Sequence, residues 1–300
     1  MKRKIKDNQI GLGLTFGIVG MATYGLFPVF SNYIVKTLDP LIFAGLSTLI
    51  GSLPLVLGVK LKGHQDYLFG NTKYFGRLFA VAMLSGFATL LFFLGTKLTT
   101  GINTSLLSQL EPIYAVIIAY LILGERRKIK EVGAILLMVF GACIVVFKGF
   151  SVPNIGDLLI LITPVFYQLS HVVSKNIINK IPDTNIIPAA RCFYGGLILT
   201  IIGVVLHPQS LMPFFTFNNI LFLLAFSFFL RTLDMFFWYS ALSRLPLSII
   251  SALIPVAVPL SFIGSIYILK ENPTIQQYVG LFAIMSGLVW IAIMHLKSDK

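Results

Sequence analysis

Three ionisable residues stand inside long apolar stretches of this chain, where charge is expensive. Glu111 falls in the middle of the run from Leu98 to Gly124, and Arg231 and Asp234 in the middle of the run from Ile220 to Leu242. A charged side chain at the centre of a bilayer costs at least ~2.5 kcal/mol on insertion scales, so it normally faces a cavity or a partner. Glu111 ends a stripe, Gly101, Thr104, Ser108 and Glu111, whose steps of three and four predict one helix face. Its carboxyl suits a proton, a cation or the amine of a solute, or else a protonated acid bonded across a tight helix pair. Arg231 and Asp234 predict either a mutually neutralising pair or a divided one. In the divided pair Arg231 would receive a carboxylate or phosphate and Asp234 an ammonium group or proton, which fits a zwitterion such as an amino acid.

Softer polar groups accompany these charges. Tyr167, Ser170, His171 and Ser174 share one predicted helix face, with Gln168 beside it, and Tyr24, Phe27, Pro28 and Ser31 mirror that face in the first apolar run. Tyr, Gln and Ser suit hydrogen bonding to a solute, and His171 titrates near neutral pH when unperturbed; packing is the alternative for each. The run Phe236, Phe237, Trp238 and Tyr239 predicts either a pocket wall or a packed, lipid-facing surface. Pro112, Pro255 and Pro259 each remove a backbone donor, and so predict a hinge, a cavity-lining break or a static kink. Glu125 lies in a charged segment reaching Glu131, which fixes topology or, through Glu125, gates by pairing with a basic residue.

These residues need helices in lipid to position them. The chain is 57% apolar and 11% charged with a mean hydropathy of +0.90, whereas globular proteins keep roughly a quarter of their residues charged. The net charge of +12 sits in short clusters between apolar runs, which marks topology and gives no support to a nucleic-acid partner. A bilayer core needs roughly 20 apolar residues per helix. Ten segments satisfy or approach this: Ile10 to Val35, Pro40 to Val59, Leu78 to Thr96, Leu98 to Gly124, Val132 to Phe147, Leu158 to Ile178, Ile186 to Leu206, Ile220 to Leu242, Leu245 to Leu269 and Ile275 to Leu296. The first follows Lys2, Arg3, Lys4 and Lys6 but is longer than a signal-peptide core, so it reads as an uncleaved helix. With the N-terminus inside, the inner segments hold 18 Lys and Arg residues and the outer ones four. That asymmetry predicts both termini on the cytoplasmic side of a cytoplasmic, or inner, membrane. Cys143 and Cys192 read as small packing residues, with neither disulfide nor metal spacing.

The chain also resembles itself. A shift of 147 positions brings Lys97 onto Arg244, Leu98 onto Leu245, Pro112 onto Pro259 and Val132-Gly133 onto Val279-Gly280, and a shift of 143 brings Tyr24 onto Tyr167 and Ser31 onto Ser174. The matches run in order through both halves, predicting units over 1–149 and 150–300. Five helices per unit is an odd number, so the second copy would be inverted, an arrangement that points to alternating access.

The stretch GINTSLLSQLEPIYAVIIAYLILGER from Gly101 to Arg126, followed by VGAILLMVFG from Val132 to Gly141, closely resembles the EamA-type repeat of the drug/metabolite transporter superfamily. The second half echoes it from Ala241 to Pro259, at Lys270-Glu271 and from Val279-Gly280 to Gly287. The resemblance covers essentially the whole chain and implies an all-α integral membrane fold of ten helices and a transport role. It also implies a basic residue in the second helix of each repeat. Arg191 fills that place in the second half, whereas the first half has Leu46-Ser47-Thr48. The Glu-Pro pair is Glu111-Pro112 in the first half and Val258-Pro259 in the second, so the halves differ electrically.

No histidine-rich metal motif, G-x-S-x-G elbow or phosphate-binding loop occurs, so neither a common enzyme class nor ATP-driven work is indicated, and no cofactor or metal is expected. The expectation is a secondary carrier for amino acids or related small metabolites, with protons as a candidate coupling ion and lipid as surroundings. A lipid or lipid-linked-sugar flippase is the alternative, and a non-transporting receptor or scaffold a third. No interface motif names a homo-oligomer.

Overall fold

The structure is a computed structural model that describes residues 2–70, 72–123, 129–147, 153–242, 244–245 and 253–298. Every long regular element among them is helical: α1 (Lys2–Val35), α2 (Pro40–Leu61), α3 (Phe75–Leu98), α4 (Gly101–Ser108), α5 (Glu111–Leu123), α6 (Ile129–Phe147), α7 (Ile155–Lys175), α8 (Ile186–Leu206), α9 (Phe217–Ser227), α10 (Leu233–Leu242), α11 (Ala257–Ile268) and α12 (Ile275–Ser298). Backbone polar groups have no water to bond in lipid, so a chain this apolar must satisfy them within helices.

Seven stretches among the described residues are long and apolar enough to cross a bilayer: Gly11–Val35, Pro40–Leu61, Phe75–Leu98, Ile155–Lys180, Ile186–Leu206, Phe217–Trp238 and Ile275–Met294. Val132–Phe147 and Ala257–Ile268 are apolar but shorter. The expected fourth span is not one helix. It divides into α4 and α5 at a turn over Gln109 and Leu110. Pro112 explains the break, because it has no N–H to offer the Ser108 carbonyl and its ring crowds that turn. The expected ninth span lies partly outside the described residues, and its described part is a 3-10 turn, Ile254–Val256, leading into α11.

Apolar side chains face outward along these helices, with Leu53, Leu57, Leu136, Phe140, Ile201 and Val205 all exposed. Small and polar residues turn inward, including Ser47, Ser52, Ser85, Thr89 and Asn103. With lipid as apolar as leucine, burial of hydrocarbon does not drive helices together, and close backbone approach takes its place. α2 and α8 show this most clearly: a Cβ on Gly196 would lie 2.4 Å from the Leu49 nitrogen, and one on Gly45 the same distance from the Thr200 nitrogen. The other main pairings are α3 with α7 and α8, α6 with α12, and α1 with α10 and α11.

The segments between helices meet in two groups. At one end Lys36 is 4.0 Å from Glu271, His207 Nδ1 is 2.9 Å from Asp39, and Thr99 donates to Asp157. At the other, Lys62 bonds Asp183 at 2.7 Å. Each group draws on segments that the charge count sorts to the same side of the membrane.

Candidate functional site

The break between α4 and α5 leaves Glu111 as the first residue of α5, with its carboxylate among groups from two other helices. Tyr24 of α1 donates its hydroxyl to Glu111 Oε2 at 3.2 Å, and Gln168 of α7 donates its amide to Oε1 at 2.8 Å. His171, one turn further along α7, brings Nε2 to 3.7 Å from Oε1, too far for a hydrogen bond but close enough for charge to matter. The Glu111 side chain remains 28% exposed and that of His171 41%, so the cluster borders open space. A carboxylate that is hydrogen-bonded and accessible can exchange a proton or bind an amine without first breaking a buried ion pair.

A second polar group centres on Arg231 and Asp234. Arg231 belongs to a π-helical turn, Phe228–Thr232, between α9 and α10. Such turns insert an extra residue into a helix and recur at functional sites. Gly51 on α2 makes room for it, since a Cβ there would stand 2.7 Å from Arg231 Cβ, and Thr232 Oγ1 donates to the Gly51 carbonyl at 2.7 Å. The guanidinium lies 4.6 Å from the Phe27 ring centre and 5.4 Å from that of Phe93. Asp234 does not neutralise it: among the described residues no ion pair joins them within 4.0 Å. Thr23 Oγ1 stands 3.3 Å from Asp234 Oδ1 and 2.8 Å from the Gly20 carbonyl, so its single proton serves both. The guanidinium packs on aromatic faces and forms no ion pair with its neighbour.

Tyr24, Glu111, Gln168 and His171 thus converge, while other expected site residues do not join them. Tyr167 turns to α3 and meets the Thr89 hydroxyl at 3.0 Å, with the Arg191 guanidinium 5.0 Å from its ring centre. Ser108 donates to the Ser105 carbonyl, and the helix ends there, so the stripe to Glu111 is not one continuous face. Trp238 packs beside Ala241, Leu245, Leu14 and Phe16. Pro112 is the second residue of α5, Pro255 lies in the turn before α11, and Pro259 is in its first turn. All three therefore start helices, where a missing donor costs little. Glu125 lies outside the described residues.

One buried network escaped the sequence reading. Asp157, fully buried in the first turn of α7, accepts from Asn103 Nδ2 at 3.0 Å on each carboxylate oxygen and from Thr99. Asn103 Oδ1 in turn accepts from Gln277 Nε2 of α12 at 2.7 Å. Beside it, the Glu271 carboxylate takes the Gly101 and Ile102 amides, at 2.7 and 2.9 Å, and caps the short helix α4. The available signal was weak: polar residues at the ends of apolar runs, which read equally well as loop residues.

Comparison with known proteins decides the family. The EamA-like transporter family model matches residues 11–147 and again residues 154–293. The chain belongs to that family. Among curated relatives, an "Uncharacterized transporter" of Methanothermobacter thermautotrophicus is 26% identical over 233 residues, covering 76% of this chain and 67% of that one. The "Uncharacterized transporter YvbV" of Bacillus subtilis is 26% identical over 271 residues, 86% of this chain and 83% of that one. A crystal structure superposes with a TM-score of 0.65 over 98% of this chain and 99% of the other at 14% identity, a likeness of fold. This family member is a multi-pass membrane protein with a transporter's architecture, in agreement with the resemblance read from Gly101 to Arg126.

Proposed function

We propose that this protein is a secondary carrier that moves amino acids or related small metabolites across a cytoplasmic membrane by alternating access. One observation carries the reading: Glu111 is held by Tyr24 and Gln168 from two other helices at a helix break, yet stays partly exposed. Glu111 and Asp234 supply acceptors for an ammonium group or a proton, with Gln168 and His171 beside Glu111, and Arg231 supplies a donor for a carboxylate. Protons are the coupling ion in this reading, since Glu111 can carry one when no amine occupies it.

The carrier has ten crossings in two inverted halves, 1–149 and 150–300, with both termini cytoplasmic. Two family matches in one chain support that division. The helix pairings support it too, because the contact of α3 with α7 has its mate in that of α10 with α1, while α2 with α8 and α6 with α12 pair equivalent helices. Alternating access then follows from one half rocking against the other around these polar groups.

Flux of labelled amino acids, amines and organic acids into proteoliposomes tests the proposal. Saturable uptake of a zwitterion, dependent on a pH gradient and lost in Glu111→Gln, is the expected result; absence of uptake for every soluble class overturns it. The second reading, a lipid or lipid-linked-sugar flippase, draws on a cavity of about 230 Å³ lined by apolar residues such as Leu110, Ile113, Val139, Val146 and Leu161, which suits an acyl chain. Headgroup movement in the same vesicles distinguishes the two.

A further inference from the structure

A small cavity is lined by both Arg191 and Arg231. It measures about 20 Å³, room for one occupant the size of a water molecule, and its walls include Thr48, Ser85, Thr89, Arg191, Cys192 and Arg231. Arg231 Nε and Nη2 are both buried and have no hydrogen-bond partner among the described residues, and Thr48 Oγ1 is in the same condition. Buried donors left unpaired cost roughly 1–3 kcal/mol each, and more when charged, so three around one cavity call for an acceptor. The protein's own carboxylates do not serve: among the described residues neither guanidinium has one within 4.0 Å. The aromatic faces of Phe27, Phe93 and Tyr167 attract the two cations, but those of Phe27 and Phe93 leave Arg231 Nε and Nη2 without acceptors.

From this geometry we infer a site for one small anionic group, a halide ion or a carboxylate oxygen, between Arg191 and Arg231 with Thr48 as a further donor. A halide accepts from every donor in reach and brings none of its own, whereas a water molecule brings two protons into donor-rich walls. Two flanking positive charges in low dielectric favour the anion further. The two halves of the chain build the site unequally. Thr48 and Arg191 are related by the same 143-position shift that relates Tyr24 to Tyr167, so one half contributes a hydroxyl where the other contributes a guanidinium. The halide source is independent of the transport reading. The carboxylate source rests on it, because that carboxylate would belong to the carried solute.

The test is thermal unfolding of the purified protein, with isethionate, which has no carboxylate, as the starting anion and chloride or bromide titrated in at constant ionic strength, since a ligand of the folded state raises Tm in a saturable way. A saturable rise with both halides is expected, with the midpoint weakened at least tenfold in Arg231→Gln and Arg191→Gln. Should those variants fail to fold, Thr48→Val keeps both cations and is expected to weaken the midpoint by a smaller factor. Bromide located by anomalous scattering between the two guanidiniums gives the direct position. Competition of acetate or a zwitterion against bromide supports the same site and assigns it to the solute's carboxylate; bromide binding without competition supports it and assigns it to the dissolved ion. A response that does not saturate, that is equal in wild type and all variants, or that is missing for halides and carboxylates alike overturns the inference. Failure of the carrier reading shows separately, as absent flux in vesicles with the halide titration intact.

Discussion

Gln168 donates its side-chain amide to Glu111 across 2.8 Å, tying the middle of α7 to the first residue of α5. The contact joins an element of the first family match to one of the second, at the point where the α4–α5 rod is broken. Removing the charge while keeping the shape separates binding from folding. Glu111→Gln is expected to lower zwitterion flux by about 10- to 100-fold, the equivalent of a charge-assisted hydrogen bond of about 1.5–3 kcal/mol, with Tm little changed. Gln168→Leu, which leaves Tyr24 in place, is expected to cost less. Initial-rate uptake in proteoliposomes measures both.

Glu271 holds α4 by its first two amides, where the helix dipole adds to the hydrogen bonds. Glu271→Ala is expected to destabilise the folded protein by about 1–2 kcal/mol, the size of a lost helix cap. Glu271→Asp shortens the reach and should fall between the two. Thermal unfolding in detergent at fixed pH reads the difference.

The buried carboxylate of Asp157 gathers α3, α4 and, through Asn103 and Gln277, α12. An amide in its place cannot accept on both oxygens, so Asp157→Asn is expected to weaken this end of the bundle by about 1–3 kcal/mol. If the network closes one face of the carrier, a cysteine introduced at Thr100 should react faster with a membrane-impermeant maleimide in the variant than in the parent. Equal labelling rates would leave Asp157 with a purely structural role.

Stability at acid pH should depend on the Lys62–Asp183 bond. Burial alone would raise the Asp183 carboxyl, but the Lys62 ammonium and the Asn185 amide outweigh it and hold the group below the usual carboxylate range. With the folded value below the unfolded one of about 3.9, the contribution is present above that pH and lost as pH falls through the folded value. Asp183→Asn is therefore expected to lower Tm modestly at pH 7 and to converge with the parent as pH falls through the folded value. A melting series between pH 3 and 7 checks the sign.

Gly196 faces backbone, because a Cβ there would meet Leu49 nitrogen at 2.4 Å. Gly196→Ala is expected to push α2 from α8 and cost about 1–3 kcal/mol, as overpacking does. Size-exclusion profiles and Tm of the purified variant measure it.

Much of the outline was legible without coordinates. Composition alone requires lipid, apolar runs mark the long helices, and the spacing of Lys and Arg sorts Lys36 with Lys270 and Lys62 with Lys180, in segments that meet through Lys36–Glu271 and Lys62–Asp183. Glu111, Tyr24, Gln168 and His171 each stood out because a polar group in an apolar run has few inexpensive places to be. Which of them would meet was not legible. A helix that is apolar on every side has no polar face to show which way it turns, so sequence periodicity cannot tell the lipid side from the core side. Rotation is decided by close contacts such as Gly51 with Arg231, and by the π turn that carries that arginine. The same limit hid the union of Asp157, Asn103 and Gln277, whose partners lie far apart in the chain. The sequence by itself determined the solvent, the helices and the family. Only tertiary structure decided which buried polar groups face one another, because that depends on how whole helices pack and not on the local preferences of their residues.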